Sequence, residues 1–151
     1  MILNEFGEIA RNEWLNTPNI RKNIDLHAFV IMPNHIHGII EILENVKENS
    51  KENIGQFKSP SQTVGAIIRG YKIATIKKIK DYIKKHLEDD QDGDVFRGEL
   101  QFAPKNIINL DFKIWQRNYF ERIIWNQRGY ENISKYIIDN PKKWNEDKIN
   151  R

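Results

Sequence analysis

The stretch Ile24-Asp-Leu-His-Ala-Phe-Val-Ile-Met-Pro-Asn-His-Ile-His-Gly-Ile-Ile-Glu-Ile-Leu43 decides the fold. Its two runs, Ile24 to Met32 and His35 to Leu43, are rich in β-formers, and Pro33-Asn34 between them has the chemistry of a turn. A two-residue loop sets Met32 opposite His35 and Val30 opposite His37, so the runs are expected to form an antiparallel hairpin of fixed register. Both runs carry apolar residues on both faces, which predicts a layer packed against each side of the sheet.

Outward from the hairpin, Phe6, Ile9, Ala10 and Trp14 recur at near-helical spacing between Asn4 and Leu15, so a first amphipathic helix should end before Pro18. From Thr63 to about Leu87, Val64, Ile67, Ile68, Tyr71, Ile76, Ile79 and Ile83 predict a long helix. Phe112 to Trp125 is dense in aromatic and β-branched residues and is expected to be a further strand. A last helix starts near Arg128, carries Tyr130, Ile133 and Ile137 on one stripe, and stops around Asn140, because Pro141 disfavours helical geometry in the residue before it. Segments 44–61 and 88–111 are polar and charged and read as flexible connections, with an extended piece near Phe96 to Phe102. The whole of 1–151 is expected to be one α+β domain.

The composition narrows the chemistry. With 151 residues, 39% hydrophobic and 30% charged, the chain falls in the soluble globular class. No apolar run approaches the ~18 residues of a membrane span, and the start lacks the features of a signal peptide, so a cytoplasmic location is expected. The absence of cysteine excludes disulfides, thiolate zinc sites and cysteine nucleophiles. The net charge of +3 is mild, but seven basic residues against one acid fall between Ser61 and His86. That run reads either as a solvated helix face or as a phosphate-binding one.

Two constellations carry chemistry. His35 and His37 lie two apart on a predicted strand, so both imidazoles point to one face, within reach of one metal ion. By itself the pair also fits partly exposed structural histidines beside a turn, and a metal needs a third ligand from elsewhere. Tyr136 and Asn140 lie four apart on the last helix, on one face of it. A phenol can attack phosphorus and hold a DNA strand as a covalent ester, and an amide oxygen can bind a hard cation. Amphipathic packing and a helix stop are the plain alternatives.

Three separated segments, Phe29-Val-Ile-Met-Pro-Asn-His-Ile-His-Gly-Ile-Ile40, Trp115-Gln-Arg-Asn-Tyr-Phe-Glu-Arg-Ile-Ile124 and Tyr136-Ile-Ile-Asp-Asn-Pro141, occur in that order. Together they resemble the motifs of the REP-associated tyrosine transposases, within the single-tyrosine HUH superfamily that includes insertion-sequence transposases. Val64-Gly-Ala-Ile-Ile-Arg-Gly-Tyr-Lys72 is similar to that group's long helix, and the likeness runs from about Leu3 to Lys143. The resemblance implies a ferredoxin-like antiparallel sheet with helices packed on it. It implies a metal-dependent single-stranded DNA endonuclease and strand transferase that cleaves near DNA hairpins through a 5′-phosphotyrosine. Tyr136 would be the nucleophile, and His35 and His37 would bind Mg²⁺ or Mn²⁺. Asn140 stands where the insertion-sequence relatives have a glutamine and would be the third ligand. No general base stands out; Lys135 is a basic neighbour of Tyr136. DNA would meet Arg69, Lys72, Lys77, Lys78 and Arg117 through its phosphates, and Trp115, Tyr119 or Trp125 through its bases, although tryptophans in so apolar a segment also suit a core.

Relatives in that group begin with an extra strand and a short hairpin, for which no counterpart precedes Leu3. The domain is therefore expected to lack the family's first strand and to expose a sheet edge, which a second copy could fill as a homodimer. A non-catalytic DNA-hairpin-binding protein derived from such a transposase is the alternative reading.

Overall fold

The computed structural model describes residues 2–43, 63–88, 111 and 113–146. Apart from Glu88 and Asp111, the segments expected as flexible connections, 44–61 and 88–111, lie outside the described residues, as does the extended piece near Phe96 to Phe102. The described residues form an α+β arrangement whose centre is a two-stranded antiparallel sheet, β1 (Ile24–Ile31) and β2 (Ile36–Ile42).

The hairpin has the register that its two-residue loop predicts: Val30 faces His37, Ile31 faces Ile36, and the Met32 amide donates to the His35 carbonyl at 2.8 Å. Between Leu26 and Phe29 the pairing shifts by one residue, a β-bulge at His27-Ala28. Because directly opposed residues share a face, the bulge reverses the parity of β1. Val30 lies with His37, whereas Asp25, of opposite parity, lies with Glu41 on that same face.

Helix α1 (Glu5–Leu15) starts where the Asn4 side chain accepts from the Gly7 amide and has Glu5 and Glu8 in its first turn, both favourable at a helix N-terminus. Its buried residues, Ala10 and Trp14, turn toward the sheet and a long helix, α3 (Val64–Glu88). The indole of Trp14 lies against Phe29 and meets Tyr71 edge-on at 5.3 Å between ring centres. A one-turn helix α2 (Thr17–Ile20), with Pro18 in its first turn, leads the chain into β1.

Helix α3 (Val64–Glu88) buries Ile67, Tyr71, Thr75, Ile79 and Ile83, one residue per turn along a single stripe. The Tyr71 hydroxyl donates to the Ala10 carbonyl at 3.2 Å, and burial pushes its phenol up, so it stays a donor across the physiological range. Helix α4 (Gln127–Asp139) is capped by the Asn126 side chain on the Gly129 amide and packs on the other face of the sheet, against β1 and β2. The α-helix ends at Asp139, next to the expected stop, but Asn140 keeps helical dihedrals (φ −54°, ψ −45°) instead of the non-helical geometry expected before Pro141, and the chain continues as a 3-10 helix from Asn140 to Glu146 that the sequence pattern does not predict. Among the described residues no helix is long and apolar enough to cross a membrane.

The expected strand from Phe112 to Trp125 is a correction: residues 113–126 contain no strand or helix. A strand exists only where a neighbour completes its ladder, and here side chains hold the segment instead. Lys72 Nζ donates to the carbonyls of Gln116 at 2.7 Å and Asn118 at 3.3 Å, and the Trp115 ring lies 5.5 Å from Tyr71. Phe120, Ile123 and Trp125 are exposed.

The tightest approach is at Gly38, where a Cβ would stand 2.5 Å from Trp14 Cζ2. Gly38→Ala is expected to cost about 1–3 kcal/mol in urea unfolding, because the indole is 2% exposed and cannot retreat. Pairing it with Trp14→Phe should cost less than the sum of the two single changes.

Candidate active site

Strand alternation turns His35 and His37 to the face of the sheet that α4 covers, and the helix brings Tyr136 to them. The two imidazoles meet edge-on at 4.7 Å between centres, and His37 meets the Tyr136 ring edge-on at 5.4 Å. Tyr136 is 50% exposed, so the side of α4 that carries it is open to solvent. One turn further, Asn140 is 4% exposed, and its Oδ1 is buried without a hydrogen bond. A buried amide oxygen left in that state costs about 1–3 kcal/mol, which a bound cation would offset.

The donor chemistry fits a divalent cation. Asn34 Oδ1 lies 2.6 Å from His35 Nδ1 and can only accept, so Nδ1 carries the proton and the buried Nε2 of neutral His35 keeps its lone pair. Among the described residues no group of three or more His, Cys, Asp and Glu side chains is arranged to hold a metal. The candidate set is instead the two imidazoles, which meet each other, and the amide of Asn140, carried one helical turn beyond Tyr136. Two nitrogens and one oxygen suit Mn²⁺ better than Mg²⁺, which prefers oxygen ligands.

Two residues near this site escape the sequence reading. His27 bridges the sheet to α4: Tyr130 lies with its hydroxyl 3.1 Å from His27 Nδ1, and Glu41 Oε2 lies 2.7 Å from Nε2. Since Glu41 accepts, neutral His27 donates through Nε2 and takes the Tyr130 hydroxyl at Nδ1. Regular alternation would have turned His27 to the side of Phe29, and only the bulge turns it toward α4. Trp144, on the 3-10 helix, stacks on His35 with 30° between planes and 6.1 Å between centres.

The residues expected to meet DNA divide into two sets. Arg69, Lys77 and Lys78 are exposed on α3, which packs on α1 and so on the side of the sheet away from Tyr136. Arg117 is exposed, and Tyr119, 42% exposed, lies with Lys72 Nζ 6.0 Å from its ring centre. Lys72 spends its ammonium on the two carbonyls, and Trp115 is half-buried against Tyr71. On the Tyr136 side, the Asp139 carboxyl is held below the usual carboxylate range. The hydrogen bond and charge of Lys142, at 3.0 Å, come first, followed by the charges of Lys135 and Lys143. Three lysines thus gather beside the end of α4.

Over 156 aligned residues the chain is 34% identical to an uncharacterised protein of Haemophilus influenzae, in an alignment that covers 99% of this chain and 72% of that protein. The chain belongs to that protein's family. The chain matches no family model. It matches no solved structure.

Titration with Mn²⁺, followed by electron paramagnetic resonance, is expected to show His37→Ala and Asn140→Ala each weakening binding by about tenfold or more. Asn140→Asp, which puts a charged oxygen in place of the amide oxygen, should tighten it.

Proposed function

We propose that the chain is a metal-dependent single-stranded DNA endonuclease and strand transferase of the single-tyrosine HUH type, similar to the REP-associated tyrosine transposases. Under this reading its sheet belongs to a larger ferredoxin-like arrangement. The observation that carries the proposal is the convergence of His35, His37 and Tyr136 on one face of the hairpin, with the buried Oδ1 of Asn140 one helical turn beyond the tyrosine.

Tyr136 Oη attacks the scissile phosphorus and loses its proton as the new P–O bond forms. The bond from phosphorus to the 3′ oxygen breaks, and that oxygen leaves as a hydroxyl after taking up a proton. The product is a 5′-phosphotyrosine and a free 3′ end, and the reverse attack by a 3′-hydroxyl rejoins strands. His35, His37 and Asn140 would hold the cation, with Asn34 at Nδ1 fixing the tautomer in which Nε2 of His35 would be the donor atom. The chemistry that Mn²⁺ or Mg²⁺ would supply there is that of a Lewis acid on the phosphate, which would offset charge in the transition state. Lys135 and Lys143 add positive potential along the DNA path beside Tyr136. Arg69, Lys77 and Lys78 would engage a more distant part of a hairpin across the sheet.

Incubation with single-stranded DNA hairpins and Mn²⁺ should yield a protein–DNA adduct that survives denaturation. Tyr136→Phe should abolish it, a loss of at least about a thousandfold in cleavage rate. Cleavage by Tyr136→Phe at the parent's rate would defeat the proposal. Salt-dependent hairpin binding with no adduct would instead favour the non-catalytic reading.

A further inference from the structure

We propose that Trp144 is a positioning residue for the cation site: its indole fixes the plane of the His35 ring and walls that ligand off from water. The inference rests on the cation reading above and adds to it a residue with no donor atom in the site.

Asn140 ends α4 and opens the 3-10 helix, so the oxygen donor and Trp144 are carried on one short rigid segment. That segment folds back until the indole is stacked on His35, 30° from parallel. His35 is then held on three sides: by Asn34 at Nδ1, by His37 edge-on, and by Trp144 across its face. An imidazole on a strand end next to a turn has two free torsions, and a ligand that must be ordered on binding loses affinity. Contacts outside the ligand set orient metal-binding histidines, and their removal characteristically costs 10- to 100-fold in affinity. The stacked indole also replaces water over one face of the ring, which strengthens the attraction between Nε2 and a cation.

The geometry supplies its own reporter. Of the four tryptophans, Trp14 lies on the opposite face of the sheet, Trp115 against Tyr71, and Trp125 in the segment before α4. Trp144 alone is stacked on a candidate ligand, so paramagnetic Mn²⁺ should quench its emission selectively.

The test uses the full chain, Trp144→Leu and Trp144→Phe, each titrated with MnCl₂ by paramagnetic resonance and by tryptophan fluorescence, with circular dichroism confirming folding in EDTA. Trp144→Leu should weaken Mn²⁺ binding by about tenfold or more, whereas Trp144→Phe, which keeps a stacking ring, should stay within about threefold of the parent. The quench seen in the parent should disappear in Trp144→Phe, although that variant still binds the ion. Equal affinity in parent and folded Trp144→Leu overturns the positioning role and leaves the cation site standing. Should Trp144→Leu not fold, an unchanged quench in Trp144→Phe overturns the proposal independently. Absence of Mn²⁺ binding by the parent removes the cation reading and this inference together.

Discussion

The contact of Trp14 with the backbone at Gly38 is the constraint on which the other packing relations depend. An indole occupies the space that any other residue would fill with its own side chain, and it presses at once on Phe29 across the strand pair and on Tyr71 of α3. One face of a narrow sheet is thereby committed to α1 and α3. The opposite face, with both histidines, is left to α4, and the nucleophile candidate can approach them from only that side.

On that second face the bulge at His27-Ala28 has an effect out of proportion to its size. Without it, Asp25 and His27 would share the side of Phe29 and Ile31, beneath α1. With it, β1 sends His27 to Tyr130 while His37 on β2 meets Tyr136, so α4 touches the sheet at two aromatic points. Two separated contacts fix both the position and the rotation of a helix.

Much of this was legible in the sequence where a local rule sufficed. Pro33-Asn34 sets the loop length, hence the register, hence the common face of His35 and His37. The apolar stripe of α3 and the stop at Asn140-Pro141 follow from spacing and from the missing proline donor. Legibility ended where a long-range partner decides the outcome. The β-rich composition of Phe112 to Trp125 reads as a strand, yet the carbonyls of Gln116 and Asn118 are taken by Lys72, a residue whose charge suggests phosphate. The bulge has no glycine to announce it, so the orientation of His27 was invisible, and Trp144 lies on a turn that follows a proline and has no periodicity to read.

From Tyr136 to Trp144 the chain carries, in nine consecutive residues, the candidate nucleophile, a buried amide oxygen and the ring stacked on His35. Each added or deleted residue in a helical stretch rotates everything beyond it by about 100°. Among relatives of this chain, that interval should therefore keep a constant length even where its residues vary.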